Sequence, residues 1–150
     1  MANTYSQAYL HIVFSTKFRR NLIEKSWKDD LNAYVAGIIR NHGQRVVIVN
    51  SMPDHIHIFY VQRPHMAPAA LMQNVKSRSS VWVKKNHPTV QNFQWQEGFG
   101  MFSCSPHEVE KIYNYIKNQE AHHQREDSLK EFIRLLQEYK VDYEARYLTD

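Results

Sequence analysis

The sequence has little of what marks disorder, secretion or membrane insertion. Its 150 residues include one cysteine, Cys104, four glycines and five prolines. A single cysteine cannot form an intramolecular disulfide, so nothing favours an oxidising compartment. No apolar run approaches the ~18 residues that cross a bilayer, and the N-terminal MANTYSQAYLHIVFSTK lacks the pattern of a signal peptide. We therefore expect a cytoplasmic protein without a membrane partner.

The composition is that of an ordinary globular protein. Hydrophobic residues make up 43% of the chain and charged residues 23%, and a chain of this length can bury a core. There is no internal repeat and no low-complexity segment. Residues 1–150 are therefore predicted to form one domain, whose tail, roughly 126–150, is helical and acidic.

Charge is divided unevenly along the chain. The formal net charge is +4, but residues 126–150 hold seven acids and four bases, a net of −3. The other 125 residues carry 15 bases and 8 acids, a net of +7. A basic body favours a polyanionic partner such as nucleic acid, although a solvated basic surface explains the charge equally well.

Hydrophobic patterning predicts a β-α-β-β-α-β order. Four extended segments are predicted, at 8–14, 45–51, 55–62 and 93–105, the last interrupted by Gly98 and Gly100. The first helix begins at Ser26 with Asp29 in a capping box, and Gly43 marks its end. The second begins at Pro68 and ends before Pro88. This order is typical of the ferredoxin-like α+β fold, a four-stranded antiparallel sheet with two helices on one face.

Two more helices are predicted in the C-terminal part of the chain. One starts at Ser105-Pro106 and runs to about His123, and the other begins near Ser128. An apolar stripe of the earlier helix is expected to face the core, and it consists of Val109, Ile112, Tyr113, Ile116 and His123. Tyr115 lies off this stripe, with Gln119 one turn further along the same flank. The spacing predicts that Tyr113 is packed and that Tyr115 is free for another role.

The segment DHIHIF, residues 54–59, places two histidines on one face of a predicted strand. Strand side chains alternate, so His55 and His57 project from the same side, about 7 Å apart at the backbone. They can converge on one cation or one phosphate. Such a pair also occurs in zinc hydrolases and on plain surfaces. Asp54 is expected to point to the opposite face, so a zinc hydrolase would lack a nearby carboxylate ligand.

These stretches together resemble the single-tyrosine HUH transposases of bacterial insertion sequences, often called TnpA. The resemblance rests on MPDHIHIFYV, WQEGFGMFSCSPHEVEKIYNYIKNQEAHH and YKVDYEARYL, and it spans nearly the whole chain from YLHIVFSTKFR onward. Members have a ferredoxin-like core, act as dimers, and cut and rejoin single-stranded DNA at hairpin-marked element ends. The resemblance therefore implies a metal-dependent transposase whose partners are hairpin-bearing single-stranded DNA and a second copy of itself.

The resemblance also implies roles for particular residues. His55 and His57 match the metal ligands, Gln119 the third ligand, and Tyr115 the nucleophile that forms a 5′-phosphotyrosine. The family favours Mg²⁺ or Mn²⁺, and it suggests that Tyr115 completes the site of the other subunit. Phosphate contact is the functional interpretation of basic residues in the first loop and on the second helix, namely Lys17, Arg19, Arg20, Lys76 and Arg78. A solvated surface explains each of them equally well.

Several interpretations remain open at this stage. One alternative is a domesticated HUH protein that binds or processes repeated DNA hairpins without transposition, and a less favoured one is the zinc hydrolase. His11 is expected to be structural, and His122 and His123 to have a helix-end role rather than to bind metal. Phe18 is expected to pack in the core, although it lies in a basic loop and could instead stack on an unpaired base.

Overall fold

The structure, a computed structural model, describes residues 4–148, so the ends of the predicted domain, 1–3 and 149–150, lie outside it. The helices and strands are β1 (Tyr9–Ser15), α1 (Lys28–Asn41), β2 (Arg45–Met52), β3 (His55–Val61), α2 (Pro68–Asn86), β4 (Gly100–Cys104), α3 (Val109–Lys117), α4 (Gln119–His122) and α5 (Ser128–Glu138). The predicted β-α-β-β-α-β order is confirmed. No helix within the described residues combines the length and apolar character needed to cross a bilayer.

The four strands form one antiparallel sheet in the order β2-β3-β1-β4. Strand β3 is central, and its His57 lies opposite Val13 of β1 and Asn50 of β2. A register shift between Val46 and Ile48 interrupts the pairing of β2 with β3. The α+β, ferredoxin-like prediction is confirmed, and one of the two central strands, β3, carries the two histidines.

Helices α1 and α2 cover one face of the sheet. The strands contribute Ile12, Ile56 and Ile58 to this core, all without exposed surface. The helices contribute buried residues at the spacing of one helical face, among them Leu31, Val35, Leu71 and Val75. Burial of this apolar face explains why the helices pack here. Periodicity predicts that the core-facing stripe is Trp27, Leu31, Tyr34, Val35 and Ile38 for the first helix and Leu71, Val75, Ser79 and Trp82 for the second. All of these are buried or partly buried except Tyr34, which is 36% exposed, so the prediction for Tyr34 was wrong.

Helices α3, α4 and α5 cover the opposite face. Phe59 of β3 packs with Ile112 and Ile116 of α3, and Phe102 of β4 packs with Phe132 of α5. The sheet is therefore enclosed between two helical layers. Because strand side chains alternate, His55 and His57 face the C-terminal layer, whereas their neighbours Ile56 and Ile58 face the other.

Three boundaries differ from those predicted. Helix α1 begins at Lys28 rather than Ser26, and its N-cap, Trp27, makes no side-chain cap hydrogen bond, so the Ser26 capping box does not form. The fourth strand spans only Gly100–Cys104, because the chain before it turns at Gly98, where φ is 74°. The helix predicted to reach His123 is divided into α3 and α4 at Asn118.

Candidate functional site

Two histidines of β3 project into the C-terminal helical layer. His55 and His57 have 1% and 0% of their surface exposed. His11 of β1 lies beside them, with its Nε2 2.8 Å from Nδ1 of His57 and its ring stacked on that of His57. The predicted His-x-His pair therefore shares one face of the sheet, as strand alternation requires.

Helices α3 and α4 bring Tyr115 and Gln119 to these histidines. The side-chain amide of Asn50 on β2 donates a 2.8 Å hydrogen bond to the carbonyl oxygen of Ile116, which fixes α3 on the sheet. The Tyr115 ring centroid lies 6.1 Å from that of His57. Gln119 is fully buried, and its Oε1 lies 3.4 Å from Nε2 of His55. One chain therefore brings together the four residues that the resemblance named.

The two tyrosines of α3 differ in burial from the predicted pattern. Ile112 and Ile116 of the predicted stripe are buried, but Tyr113 is 36% exposed, so the prediction that it is packed was wrong. Tyr115 is partly buried instead and packs beside Phe59 and these isoleucines. The reason is that α5 covers the flank of α3 on which Tyr115 lies, so the buried arc is displaced from the apolar stripe.

Glu131 of α5, which the sequence pattern did not single out, lies at the centre of the site. It is 1% exposed. Its Oε1 atom faces three imidazole Nε2 atoms, at 3.1 Å from His57, 3.2 Å from His123 and 3.4 Å from His55. Its Oε2 atom accepts a hydrogen bond from the Tyr115 hydroxyl. The carboxylate therefore joins the histidine cluster to the tyrosine.

Helical spacing was the signal that could have revealed Glu131. It follows Ser128 by three residues and precedes Leu135 by four, and both of these are buried. Residues at these spacings share one face of a helix. An acid on an otherwise buried helical face needs a partner in the interior. The sequence alone could not name that partner, because β3 and α5 are more than 60 residues apart.

Outer partners orient both histidines of β3. Nδ1 of His55 lies 2.7 Å from Oδ1 of Asp54, and the Ser128 hydroxyl donates a 2.6 Å hydrogen bond to Oδ2 of the same carboxylate. Nδ1 of His57 is held by His11. Asp54 therefore does not point away from the pair as predicted, because it lies in the turn before β3 and strand alternation does not govern it. The lack of a nearby carboxylate no longer counts against a zinc site.

Charge in the site is balanced by close pairing. Burial by itself raises the pKa of Glu131, but hydrogen bonds from His123, His55 and His57 hold that pKa well below its usual range. Burial disfavours the charged form of His55, yet its carboxylate partners Asp54 and Glu131 raise its pKa to about 9. Burial lowers the pKa of His57. At neutral pH the site therefore holds an ionised Glu131 and a neutral His57.

Tyr115 is held mostly as a neutral phenol. Burial raises its pKa, and the neighbouring carboxylate of Glu131 raises it further. Arg134 of α5 opposes this effect, because its Nη2 donates a 2.7 Å hydrogen bond to the Tyr115 oxygen and its charge favours the phenolate. The hydroxyl therefore has a proton acceptor on one side and a cationic hydrogen-bond donor on the other.

The donor set fits a divalent cation. Ligand atoms of His55, His57, His123 and Glu131 all lie within 4.8 Å of one another. Gln119 Oε1 joins them, at 2.8 Å from Nε2 of His123. Imidazole nitrogens and carboxylate or amide oxygens are ordinary metal ligands in proteins. His123 was expected to have a helix-end role, but the structure places it in this cluster.

Comparison with known proteins identifies the family. A family model described as "Transposase IS200 like" matches residues 4–119. The chain belongs to the IS200-like transposase family. It is similar to the ISDra2 transposase TnpA of Deinococcus radiodurans, with 22% identity over 118 residues that cover 75% of this chain and 84% of that protein. Membership in a transposase family implies DNA cleavage and transfer.

Solved structures share the fold. A candidate transposase from Deinococcus radiodurans R1 superposes with a TM-score of 0.64 at 20% identity, covering 79% of this chain and 95% of that chain. The REP-associated tyrosine transposase, solved with a REP hairpin, superposes with a TM-score of 0.61 at 13% identity, covering 82% of this chain and 73% of that chain. The family match ends at Gln119, so His123, Glu131 and Arg134 of this transposase lie beyond it.

Two of the predicted DNA-binding residues make internal contacts in the transposase. Arg19 donates hydrogen bonds to the Ser128 hydroxyl at 3.1 Å and to the Leu148 carbonyl oxygen at 3.4 Å, which ties its loop to the C-terminal segment. Lys76 donates to the carbonyl oxygen of Gln96 at 2.9 Å and to that of Gly98. Burial lowers the pKa of Lys76 to about 8. These contacts leave DNA binding by either residue a prediction.

The other three predicted DNA contacts lie on the surface or at its edge. Lys17 and Arg20 place their charges 5.6 and 5.4 Å from the ring centroid of Phe18. Phe18 is 56% exposed, so the expectation that it packs in the core was wrong. Its backbone is left-handed, with a φ of 59°. Arg78 is exposed on α2, in the helical layer across the sheet from the histidines.

Proposed function

We propose that this transposase cleaves and rejoins single-stranded DNA at hairpin-marked ends through a covalent bond to Tyr115. The observation that carries the proposal is the position of the Tyr115 hydroxyl. It donates a hydrogen bond to the carboxylate of Glu131, which also faces three imidazole nitrogens. The Tyr115 oxygen also accepts a hydrogen bond from Arg134, whose charge favours the phenolate, and a nucleophile oriented and activated by its neighbours is typical of covalent catalysis. A purely structural tyrosine does not require this arrangement.

The chemistry follows from the residues around the tyrosine. The Tyr115 oxygen attacks phosphorus, and the bond from phosphorus to the 3′ oxygen breaks, leaving a 5′-phosphotyrosine and a free 3′-OH. Arg134 stabilises the negative charge on the Tyr115 oxygen through its hydrogen bond. Because the phosphoester bond is retained in the adduct, another 3′-OH can reverse the reaction without ATP. Water in place of tyrosine would give a nuclease instead.

A divalent cation belongs in this proposal. His55, His57 and Gln119 would hold it, with Mg²⁺ or Mn²⁺ favoured by the family resemblance. When bound, such a cation acts as a Lewis acid on a phosphoryl oxygen and as a template that orients the substrate. Neutral ligands preserve the positive charge of the cation for that purpose.

The substrate assignment rests on the surface near the site and on one relative. Thr16 precedes the basic loop that carries Phe18. Its carbonyl oxygen accepts a 3.0 Å hydrogen bond from Arg19 N, and its own N–H donates a 2.9 Å hydrogen bond to the carbonyl oxygen of Asp54, the residue before His55. An exposed aromatic ring between two cations suits stacking of an unpaired base. The REP-associated relative was solved with a DNA hairpin, which supports hairpin DNA as the partner of this chain.

Two arrangements of the site compete. Tyr115 lies beside the histidines of its own chain, which supports a site built within one subunit, whereas the resemblance suggests that Tyr115 completes the site of the other subunit. A homodimer remains a prediction from the resemblance. Mixing Tyr115→Phe protomers with His57→Ala protomers separates the two arrangements once subunit exchange has been shown. Adduct formation returns if the sites are shared between subunits, and the mixture stays inactive if each chain uses its own tyrosine.

A domesticated protein that processes repeated hairpins would use the same residues. The similarity to the REP-associated transposase supports this second function, the processing of repeated hairpins. The two functions differ in the joining step. A transposase transfers the covalently held strand to a new 3′-OH, so supplying an acceptor strand should release Tyr115 and give a longer DNA product. Cleavage without joining would favour the domesticated role.

Trapping the covalent adduct tests the proposed function. A hairpin-bearing single strand labelled at its 3′ end should become attached to the protein in Mn²⁺ or Mg²⁺, because the fragment downstream of the cut keeps the 5′ phosphate. Tyr115→Phe should bind the DNA and form no adduct. Tyr113→Phe is the matched control on the same helix and should react normally. Adduct formation by Tyr115→Phe, or equal cleavage of matched duplex, would contradict the proposal.

A further inference from the structure

We propose that Glu131 and His123 complete the cation site, adding a carboxylate and a third imidazole to His55, His57 and Gln119. This inference rests on the proposed function for its role in DNA cleavage, but it can be measured without DNA. It makes α5, which lies beyond the residues matched by the family model, a part of the active site.

The first argument is convergence of unlike donors. Glu131 Oε1 lies within 3.4 Å of the Nε2 atoms of His55, His57 and His123. All four residues are buried or partly buried, and their ligand atoms lie within 4.8 Å of one another. A carboxylate kept away from water requires compensation by positive charge. A divalent cation supplies that charge, and it takes the place of any imidazole proton because a ligating nitrogen must be deprotonated.

The second argument is that the Nδ1 atoms of His55 and His57, which point away from the centre of the site, already have hydrogen-bond partners. Nδ1 of His55 is occupied by Asp54 and Nδ1 of His57 by His11, so both rings present Nε2 to the centre. A metal-binding histidine commonly has its other nitrogen fixed by a carboxylate or a similar partner. Ser128 in turn fixes Asp54. Ser128 and Glu131 both belong to α5. This helix therefore supplies one ligand, Glu131, and through Ser128 and Asp54 it also orients a second ligand, His55.

The donor set indicates the class of cation. Three imidazoles and a carboxylate suit borderline transition metals such as Zn²⁺, Co²⁺ and Mn²⁺. Mg²⁺ prefers oxygen ligands and retains several waters. The completed site should therefore prefer Zn²⁺ or Co²⁺ to Mg²⁺, and Mn²⁺ is the cation common to this inference and the family resemblance.

The completed site also determines what Glu131 does to the nucleophile. With Oε1 facing the cation ligands, Oε2 remains on the Tyr115 hydroxyl. The carboxylate thus holds the tyrosine at a set distance from the cation position. Glu131 is in contact with a reacting atom, so its loss should affect both cation affinity and adduct formation.

Direct cation titration of the full chain tests the inference. Zn²⁺ affinity is measured by calorimetry, and Co²⁺ binding by its visible absorption, which reports ligand number and type. Loss of an outer partner of a metal ligand costs about 10–100-fold in affinity, so Glu131→Gln should weaken Zn²⁺ binding by at least about 100-fold. His123→Gln should weaken it similarly. Glu120→Gln, an exposed residue on α4 that pairs with Lys25, is the matched control and should bind as the wild type does.

Each outcome decides between two roles for Glu131. If Glu131→Gln binds Zn²⁺ as well as or more tightly than the wild type, the carboxylate only pairs with the histidines or competes with the cation, and the inference is wrong. Circular dichroism checks that each variant is folded. If Glu131→Gln fails to fold, the Zn²⁺ affinity of His123→Gln decides the question, and unchanged affinity shows that the inference is wrong. Weakened Zn²⁺ binding in a protein that never forms a DNA adduct would leave this inference standing and overturn the proposed function.

Discussion

Gly100 is a position where one added methyl group should loosen α5. A Cβ atom at Gly100 would lie 2.5 Å from Cε1 and 3.0 Å from Cζ of Phe132, and 3.2 Å from Cε2 of Phe102. No real Cβ contact is as short as the first of these, so the Phe132 ring must move. That ring packs among buried residues, and the guanidinium of Arg19 lies 5.8 Å from its centroid. Room to move is therefore small.

We expect Gly100→Ala to cost about 1–3 kcal/mol of unfolding free energy, the usual cost of overpacking a core. For a chain of this size that corresponds to a fall in Tm of about 2–4 °C per kcal/mol. Gly37→Ala is the matched control, because a Cβ at Gly37 in α1 meets no atom within 4 Å. It should instead stabilise the protein by about 0.5–1 kcal/mol, since alanine is the better helix former.

Urea unfolding of four proteins isolates the contact: wild type, Gly100→Ala, Phe132→Leu and the double variant. The smaller leucine makes room for the new methyl group, so the double variant should be more stable than the sum of the single effects predicts. Additive effects, or equal stabilities for Gly100→Ala and Gly37→Ala, would refute the argument that Phe132 requires glycine at position 100.

Two further predictions concern DNA and the cation. Phe18→Ala should weaken binding to hairpin-bearing single strands by about 1–3 kcal/mol if one base stacks on the ring. Tyr147 is also exposed, and Tyr147→Ala should leave binding unchanged. Equal affinities of the two variants in a filter-binding assay would exclude stacking on Phe18. His57→Ala, or excess EDTA with the wild type, should abolish cleavage in a gel assay and leave hairpin binding nearly unchanged, because binding is spread over many phosphate contacts. Full activity in EDTA would show that the cluster does not act through a cation.

The local pattern of the chain was enough to predict most of the fold. Alternation in DHIHIF placed His55 and His57 on one face, and the helical stripes of α1 and α2 located the core. Gly43, where φ is 76°, ends α1 as predicted, because glycine accepts that conformation without strain. Such features depend on residues a few positions apart. The ends of elements were less predictable, since no side-chain cap forms at Ser26.

The site itself was only half predicted. The residues of the family motif, Tyr115 and Gln119, were visible as a spacing on one helix. Tyr113 was misassigned, because the arc of a helix that is buried depends on what packs against it. Phe18 was misassigned because the path of the loop, which has a positive φ at Phe18, is not revealed by the sequence, and the ring is 56% exposed.

The sequence by itself determined the sheet, its order of elements and the face on which two histidines lie, because these follow from periodicities of two and 3.6 residues. Only the tertiary structure decided that Glu131 lies among His55, His57 and His123, and that Asp54 and His11 orient two of those rings. Such contacts join residues up to 76 positions apart, as for His55 and Glu131. The contacts of Glu131 arise from the docking of α5 on the sheet, which buries Phe132 against Phe102 and thereby carries an acid into the interior.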